Sequence, residues 1–212
     1  VWVAWHNKST MLNIRRHFSD KLITQIAATR KDLGIFALDN KGKVWVYGTT
    51  NSHGQLGNGS TSALAREYQV PLDLPPIKAI YTGYNNTFFH TANNEIWACG
   101  ANHKGKLGIN DSHAIIKTPA KVEIASPIKK VVAGNENTFF ITSEGDVLSC
   151  GMNTYGQLGH EHTHPITTPQ KINVLSNITD IVLKGDFTAF FKNANGDVFA
   201  CGTSELSPQH VA

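Results

Sequence analysis

The chain has 212 residues, a formal net charge of +3 and 17% charged residues. It is long enough to bury a sizeable core, but it lacks the basic stripe with interleaved aromatic residues that is typical of nucleic-acid binders. No apolar run approaches the roughly 18 residues that a membrane-spanning helix requires, and no signal peptide is visible. Membrane and nucleic-acid partners are therefore not expected. Three cysteines, an odd number, favour a reducing compartment, so we expect a cytoplasmic or nuclear location.

Residues 1–43 predict a degenerate copy of the unit that follows. The segment GIFALDNKGKVW at 34–45 has the alternation of a β-hairpin, with Gly42 supplying the positive φ of a tight turn. Residues 10–26 carry apolar side chains at mixed spacings of three and four, which favours a short amphipathic helix there.

Three regular repeats are predicted at 44–99, 100–150 and 151–201, and residues 202–212 are predicted to start the next unit. The period is marked by glycines with successive spacings of 52, 51 and 51 residues. Self-similarity at such a period indicates a repeat array, so these blocks are architecture rather than a reactive site.

Each unit is predicted to hold four short strands, which in the third unit fall at 128–132, 138–142, 146–150 and 170–174. Four antiparallel strands at a period of about 50 residues fit the blade of an all-β propeller better than a helical solenoid. Paired phenylalanines recur at one phase of the repeat. Because neighbouring side chains on a strand point to opposite faces, one ring of each pair is expected to contact the preceding blade and the other the following blade.

A Gly-Gln-Leu-Gly turn follows the third strand of the repeats. The repeated residues are Gly48, Gly54, Gln55, Leu56, Gly57, Gly100, Gly105, Leu107, Gly108, Gly151, Gly156, Gln157, Leu158, Gly159 and Gly202. This pattern resembles the regulator of chromosome condensation repeat. The resemblance implies a β-propeller, typically of seven blades, whereas this chain supplies about four. We therefore expect a partial ring or a fragment, completed by the rest of a longer chain or by another subunit.

One face of the propeller is the candidate binding surface. The loop before the second strand and the loop after the third strand lie at the same end of antiparallel neighbours, so the two loop families are expected to share a face. Variable loops on rigid blades are typical of recognition surfaces, although Asn and Gly also suit solvated turns. The candidate partner-binding residues are Asn51, His53, Tyr84, Asn85, Asn86, Asn102, His103, Lys104, Glu136, Asn137, Thr154, Tyr155, Asp186 and Phe187.

Catalytic and cofactor motifs are not found. The sequence has no nucleophile elbow, zinc-protease helix, phosphate loop or dinucleotide fingerprint, so neither an enzyme nor a bound cofactor is expected. Cys99, Cys150 and Cys201 each end an apolar strand, which favours buried small side chains over reactive thiols. His160, His162 and His164 alternate and could bind a metal, but a solvated His-rich loop is the simpler interpretation.

Two functions remain open. The first is a protein-interaction scaffold that presents its variable loops to a protein partner. The second, implied by the resemblance, is guanine-nucleotide exchange on a Ran-like small GTPase by insertion of a wedge. The gaps from each Gly-Gln-Leu-Gly turn to the next proline are 14, 11 and 10 residues, too short for a wedge, and this favours the scaffold.

Overall fold

A computed structural model describes residues 21–29, 34–48, 50–69, 74–203 and 205–211. The described residues form four sheets, each with four antiparallel strands that neighbour one another in chain order. Sheet 1 holds β1 Ile23–Ala28, β2 Gly34–Asp39, β3 Val44–Gly48 and β4 Leu64–Gln69. Sheet 2 holds β5 Ile77–Thr82, β6 Asn86–Thr91, β7 Ile96–Ala101 and β8 Ile115–Val122. Sheet 3 holds β9 Ile128–Ala133, β10 Asn137–Thr142, β11 Val147–Gly151 and β12 Ile166–Lys171. Sheet 4 holds β13 Ile178–Lys184, β14 Thr188–Asn193, β15 Val198–Gly202 and β16 Glu205–His210.

The sheets confirm the all-β prediction but are out of phase with the predicted repeats. Each sheet begins one strand pair before its repeat, so the sheets span 23–69, 77–122, 128–171 and 178–210. Residues 202–212 do not start a new sheet, because β16 pairs with β15 and completes sheet 4. Residues 23–26 are strand rather than helix, and the remainder of the predicted helix, at 10–20, lies outside the described residues. Within the described part of the chain, no helix could cross a membrane.

The fourth strand of sheet 3 was placed too late by the sequence pattern. It runs from 166 to 171 instead of 170 to 174, with Gly151 opposite Ile166 and Ser149 opposite Gln170. Pro169 interrupts the pattern because proline cannot donate a ladder hydrogen bond. It is tolerated here because β12 is an outer strand of its sheet.

First strands lie side by side and join neighbouring sheets. The Gln25 side chain in β1 donates to the Ile80 carbonyl at 2.7 Å and accepts from the Ile80 amide at 2.8 Å. Thr82 Oγ1 donates to the Ala28 carbonyl at 2.8 Å. The hairpin after the second strand adds a further contact, since the Ile178 amide donates to the Gly145 carbonyl at 2.8 Å. Gly145 has a φ of 85°, as predicted for this turn.

The core between sheets is built from the paired phenylalanines. The edge-to-face ring pairs, with centroid distances, are Phe36–Phe89 at 6.2 Å, Phe88–Phe140 at 5.9 Å and Phe139–Phe191 at 5.6 Å. In the sequence pairs Phe88–Phe89 and Phe139–Phe140, the first ring thus contacts the following sheet and the second ring contacts the preceding sheet, which confirms the prediction for these two pairs. All six rings are fully buried, so each junction between sheets is a closed apolar core.

Candidate partner-binding face

Each Gly-Gln-Leu-Gly turn is held by an asparagine side chain that precedes it. We call residues 54–57, 105–108 and 156–159 the latch turns. Asn51 Oδ1 accepts from the Leu56 amide at 3.0 Å, and its Nδ2 donates to the Ser60 carbonyl at 2.9 Å. Asn102 binds the Leu107 amide at 3.2 Å, and Asn153 binds the Leu158 amide at 2.9 Å. These asparagines therefore fix the backbone of the latch turns.

The latch turns fasten each sheet to the next one. Thr87 Oγ1 in sheet 2 donates to the Gln55 carbonyl at 2.8 Å, and Thr138 Oγ1 in sheet 3 donates to the Lys106 carbonyl at the same distance. A cysteine of the same sheet approaches each carbonyl. The Sγ–O distances are 3.6 Å for Cys99, 3.5 Å for Cys150 and 3.3 Å for Cys201. Ala189 occupies the threonine position in sheet 4, so the third junction has only the cysteine contact of this set.

The side chain at the second latch position crosses to the loop before the second strand of the next sheet. Gln157 Nε2 donates to the Asp186 carbonyl at 3.1 Å. Lys106 replaces glutamine in the second latch turn, where Nζ donates to the Asn135 carbonyl at 2.5 Å and lies 3.7 Å from Glu136 Oε2. Burial lowers the pKa of Lys106, and the nearby Glu136 carboxylate opposes that shift. A buried cation is thus accommodated because a neighbouring anion and carbonyl face it.

The two predicted loop families lie next to each other at the sheet junctions. His103 Nδ1, in the 3-10 turn His103–Gly105 that starts the second latch, lies 3.3 Å from Glu136 Oε2 of the next sheet. At the following junction, the rings of Tyr155 and Phe187 meet edge-to-face with centroids 4.7 Å apart. Residues from neighbouring sheets therefore form a composite surface along one end of the strands.

Five of the predicted partner-binding residues are buried and cannot offer their side chains to a partner. Their exposed fractions are 1% for Asn51, 6% for Asn85, 0% for Asn86, 4% for Asn102 and 2% for Asn137. Asn51 and Asn102 are turn caps. Asn86 and Asn137 lie at the start of a second strand, where a Cβ on the preceding glycine would overlap their Oδ1 atoms.

The remaining predicted residues reach the surface. We call them the junction face: His53, Tyr84, His103, Lys104, Glu136, Thr154, Tyr155, Asp186 and Phe187. Sequence reasoning missed three residues that support this face, namely Lys106, Asn135 and Asn153. Asn153 could have been found by position, because it repeats Asn51 and Asn102 in the third unit.

The three alternating histidines lie in a row, with the rings of His160 and His162 stacked and the ring of His164 tilted against His162. Ring centroids are 6.0 Å apart for His160 and His162, and 5.7 Å apart for His162 and His164. His160 Nε2 lies 2.8 Å from Ser149 Oγ, and burial lowers the pKa of this imidazole to about 4. Across the described residues, no group of His, Cys, Asp or Glu is arranged to hold a metal ion.

The three cysteines are buried free thiols, as the strand pattern predicts. Exposed fractions are 0% for Cys99, 0% for Cys150 and 1% for Cys201. Burial raises the pKa of all three thiols, to about 12 for Cys201. They therefore remain protonated at neutral pH and are poor nucleophiles.

Comparison with known proteins identifies the repeats. The Regulator of chromosome condensation (RCC1) repeat model matches residues 93–141 and 144–191, and a second model of the same repeat matches 128–157. The chain carries regulator of chromosome condensation repeats. Two curated relatives are a mouse secretion-regulating guanine nucleotide exchange factor and the mouse serine/threonine-protein kinase Nek9. The first is 32% identical over 74% of this chain and 35% of that protein. The second is 25% identical over 98% of this chain and 22% of that protein.

A solved propeller of this family shows the same fold. The crystal structure of Prp20p from Saccharomyces cerevisiae superposes with a TM-score of 0.79 at 20% identity. The match covers 92% of this chain and 51% of that one. This chain thus spans about half of that propeller and about a third of the mouse exchange factor.

Proposed function

We propose that this regulator of chromosome condensation propeller segment is a protein-interaction scaffold whose partner docks on the junction face. The observation that carries the proposal is the division between repeated and variable residues. Positions 51, 102 and 153 are all asparagine because each of these side chains caps a latch turn. The position two residues later is at least partly exposed and holds His53, Lys104 and then Tyr155, so successive junctions present different chemistry.

The latch contacts support binding by a preformed surface. The junction-face residues that follow the third strands lie beside turns whose asparagine caps and inter-sheet hydrogen bonds are buried, so little ordering of these turns is needed when a partner docks. A preformed surface lowers the entropic cost of association. The proposal needs no covalent catalysis and no cofactor, and we expect the partner in the cytoplasm or the nucleus.

Guanine-nucleotide exchange is the second candidate function, favoured by the relative that is named a guanine nucleotide exchange factor. Prp20p, which shares the fold, has been studied for its binding properties to Gsp1p and histones. Exchange requires only that the propeller bind the nucleotide-free GTPase more tightly than the loaded form. The same junction face would serve, with a GTPase as the partner.

The test is affinity capture with matched variants, followed by a nucleotide-release assay. The junction variant combines Lys104→Ala, Tyr155→Ala and Phe187→Ala. The control combines Lys41→Ala, Glu144→Ala and Asn195→Ala, which are exposed residues of the hairpins at the opposite end of the strands. We expect the junction variant to lose the captured partner and the control to keep it.

Equal capture by both variants would exclude the junction face as the docking surface. A captured GTPase is then loaded with a fluorescent nucleotide. Release accelerated by the wild-type chain and not by the junction variant assigns exchange, whereas unchanged release leaves the scaffold function alone.

A further inference from the structure

The third junction of the face combines exposed aromatic rings with a carboxylate. Tyr155 and Phe187 are each 46% exposed although their rings contact each other. Asp186 precedes Phe187 on the same loop and is partly exposed. Rings that remain half exposed while held edge-to-face offer both an open aromatic face and a fixed orientation.

The Asp186 carboxylate is oriented at this junction by a neighbouring side chain. Asn135 Nδ2 donates to Asp186 Oδ2 at 2.9 Å, which turns the carboxylate toward sheet 3. The Asp186 carbonyl accepts from Gln157 Nε2 in the latch turn that also carries Tyr155. Among the described residues, no ion pair within 4 Å involves Asp186. The nearby Lys106 ammonium interacts electrostatically with Asp186, but its direct contacts are with Asn135 and Glu136.

The other two junctions lack this combination. At the second junction, the Glu136 carboxylate already contacts His103 and Lys106, so its negative charge is paired within the protein. At the first junction, the equivalents of Tyr155 and Phe187 are His53 and the buried Asn85. The third junction therefore differs by having two half-exposed rings beside a partly exposed carboxylate.

We propose that Tyr155, Phe187 and Asp186 form a docking site for an arginine side chain of the protein partner. This inference rests on the scaffold function above and specifies the chemistry that the junction face recognises. A guanidinium is planar, so it stacks on an aromatic face while its N–H groups donate to a carboxylate. Charge complementarity selects a cation, and the rings select guanidinium over the strongly hydrated lysine ammonium.

The experiment uses two peptides with blocked, uncharged termini: acetyl-Gly-Arg-Gly amide and the same peptide with citrulline in place of arginine. Citrulline has the shape of arginine without the positive charge. Amide signals of the ¹⁵N-labelled chain are followed by NMR during titration with each peptide. We expect saturable shifts at Asp186 and Phe187 with the arginine peptide and none with the citrulline peptide.

Variants test the assigned residues. Asp186→Asn retains an acceptor for Asn135 while removing the charge, and it should weaken the arginine peptide about fivefold, the scale of one exposed ion pair. Tyr155→Ala should weaken it similarly, and His53→Ala at the first junction should leave it unchanged. Equal shifts with citrulline, no shifts, or an undiminished response in Asp186→Asn would each overturn the arginine site. Partner capture that depends on the junction face alongside such a result would leave the scaffold function standing.

Discussion

We predict that the hydroxyl of Thr138 stabilises the contact between sheets 2 and 3, and the substitution Thr138→Val tests this prediction. Valine keeps the shape of threonine, so no cavity forms and only the hydrogen bond to the Lys106 carbonyl, 2.8 Å long, is lost. Thr138 is 0% exposed, and the carbonyl keeps the Cys150 thiol at 3.5 Å, a weak donor. Loss of one buried hydrogen bond with a poorly satisfied acceptor should lower the free energy of unfolding by about 1–2 kcal/mol.

Urea unfolding, followed by tryptophan fluorescence and far-ultraviolet circular dichroism, measures this change. Coincident transitions allow the midpoint shift to be converted to a free energy with an unchanged m-value. Thr87→Val removes the equivalent bond to the Gln55 carbonyl and should cost a similar amount. Thr154→Val, at an exposed position, is the control for the substitution itself. If Thr138→Val shifts the midpoint no more than Thr154→Val, the latch bonds do not fasten the sheets.

Two further predictions concern the latch backbone and a buried imidazole. Gly105 has a φ of 75°, and a Cβ there would lie 2.6 Å from Thr167 Cα, so Gly105→Ala should cost over ~2 kcal/mol in urea unfolding. Gly196→Ala, with φ 95° and no atom within 4 Å of its Cβ, should cost only the conformational part, and equal losses would refute the steric argument. Burial, and secondarily the Lys78 charge, lower the pKa of His90 from 6.5 to about 4. The unfolded chain then binds the proton first, so stability should fall as pH drops from about 6.5 toward 4, and His90→Ile should reduce the difference between urea midpoints at pH 7.5 and pH 5. An unchanged difference would refute the assignment to His90.

Much of the fold was predictable because three strands of each sheet combine alternation with fixed punctuation. The paired phenylalanines could be assigned to opposite neighbours from the period of a strand alone, and the ring contacts confirm this. The bounds of the outer, fourth strand could not be predicted from the sequence. Ile166–Lys171 contains Pro169 and four exposed polar residues, so its pattern is that of a loop until pairing with β11 is known.

The candidate face was only partly predictable, because asparagine suits two different environments. Its side chain is tolerated in a solvated turn and is equally able to cap buried amides. The sequence pattern places Asn51 and Asn102 among the surface residues. In the structure their side chains are buried and accept hydrogen bonds from the Leu56 and Leu107 amides. Repetition of the same residue type was the available signal for structure, and variation, as at His53, Lys104 and Tyr155, was the signal for surface.

Differences between the junctions argue that the sheets are matched to their neighbours and are not interchangeable. Within sheet 3 Ala133 pairs with Thr138, whereas within sheet 4 the larger Leu183 pairs with the smaller Ala189. The larger side chain thus lies opposite the smaller one, and Leu183 packs against the apolar core. Lys106 occurs with Glu136 in the next sheet, while Gln157 occurs with Phe187. A sheet without an acid at the position of Glu136 would leave the buried Lys106 cation unpaired. This pairing therefore favours one order of sheets over its permutations, and the same order places the charged and aromatic junctions side by side on the junction face.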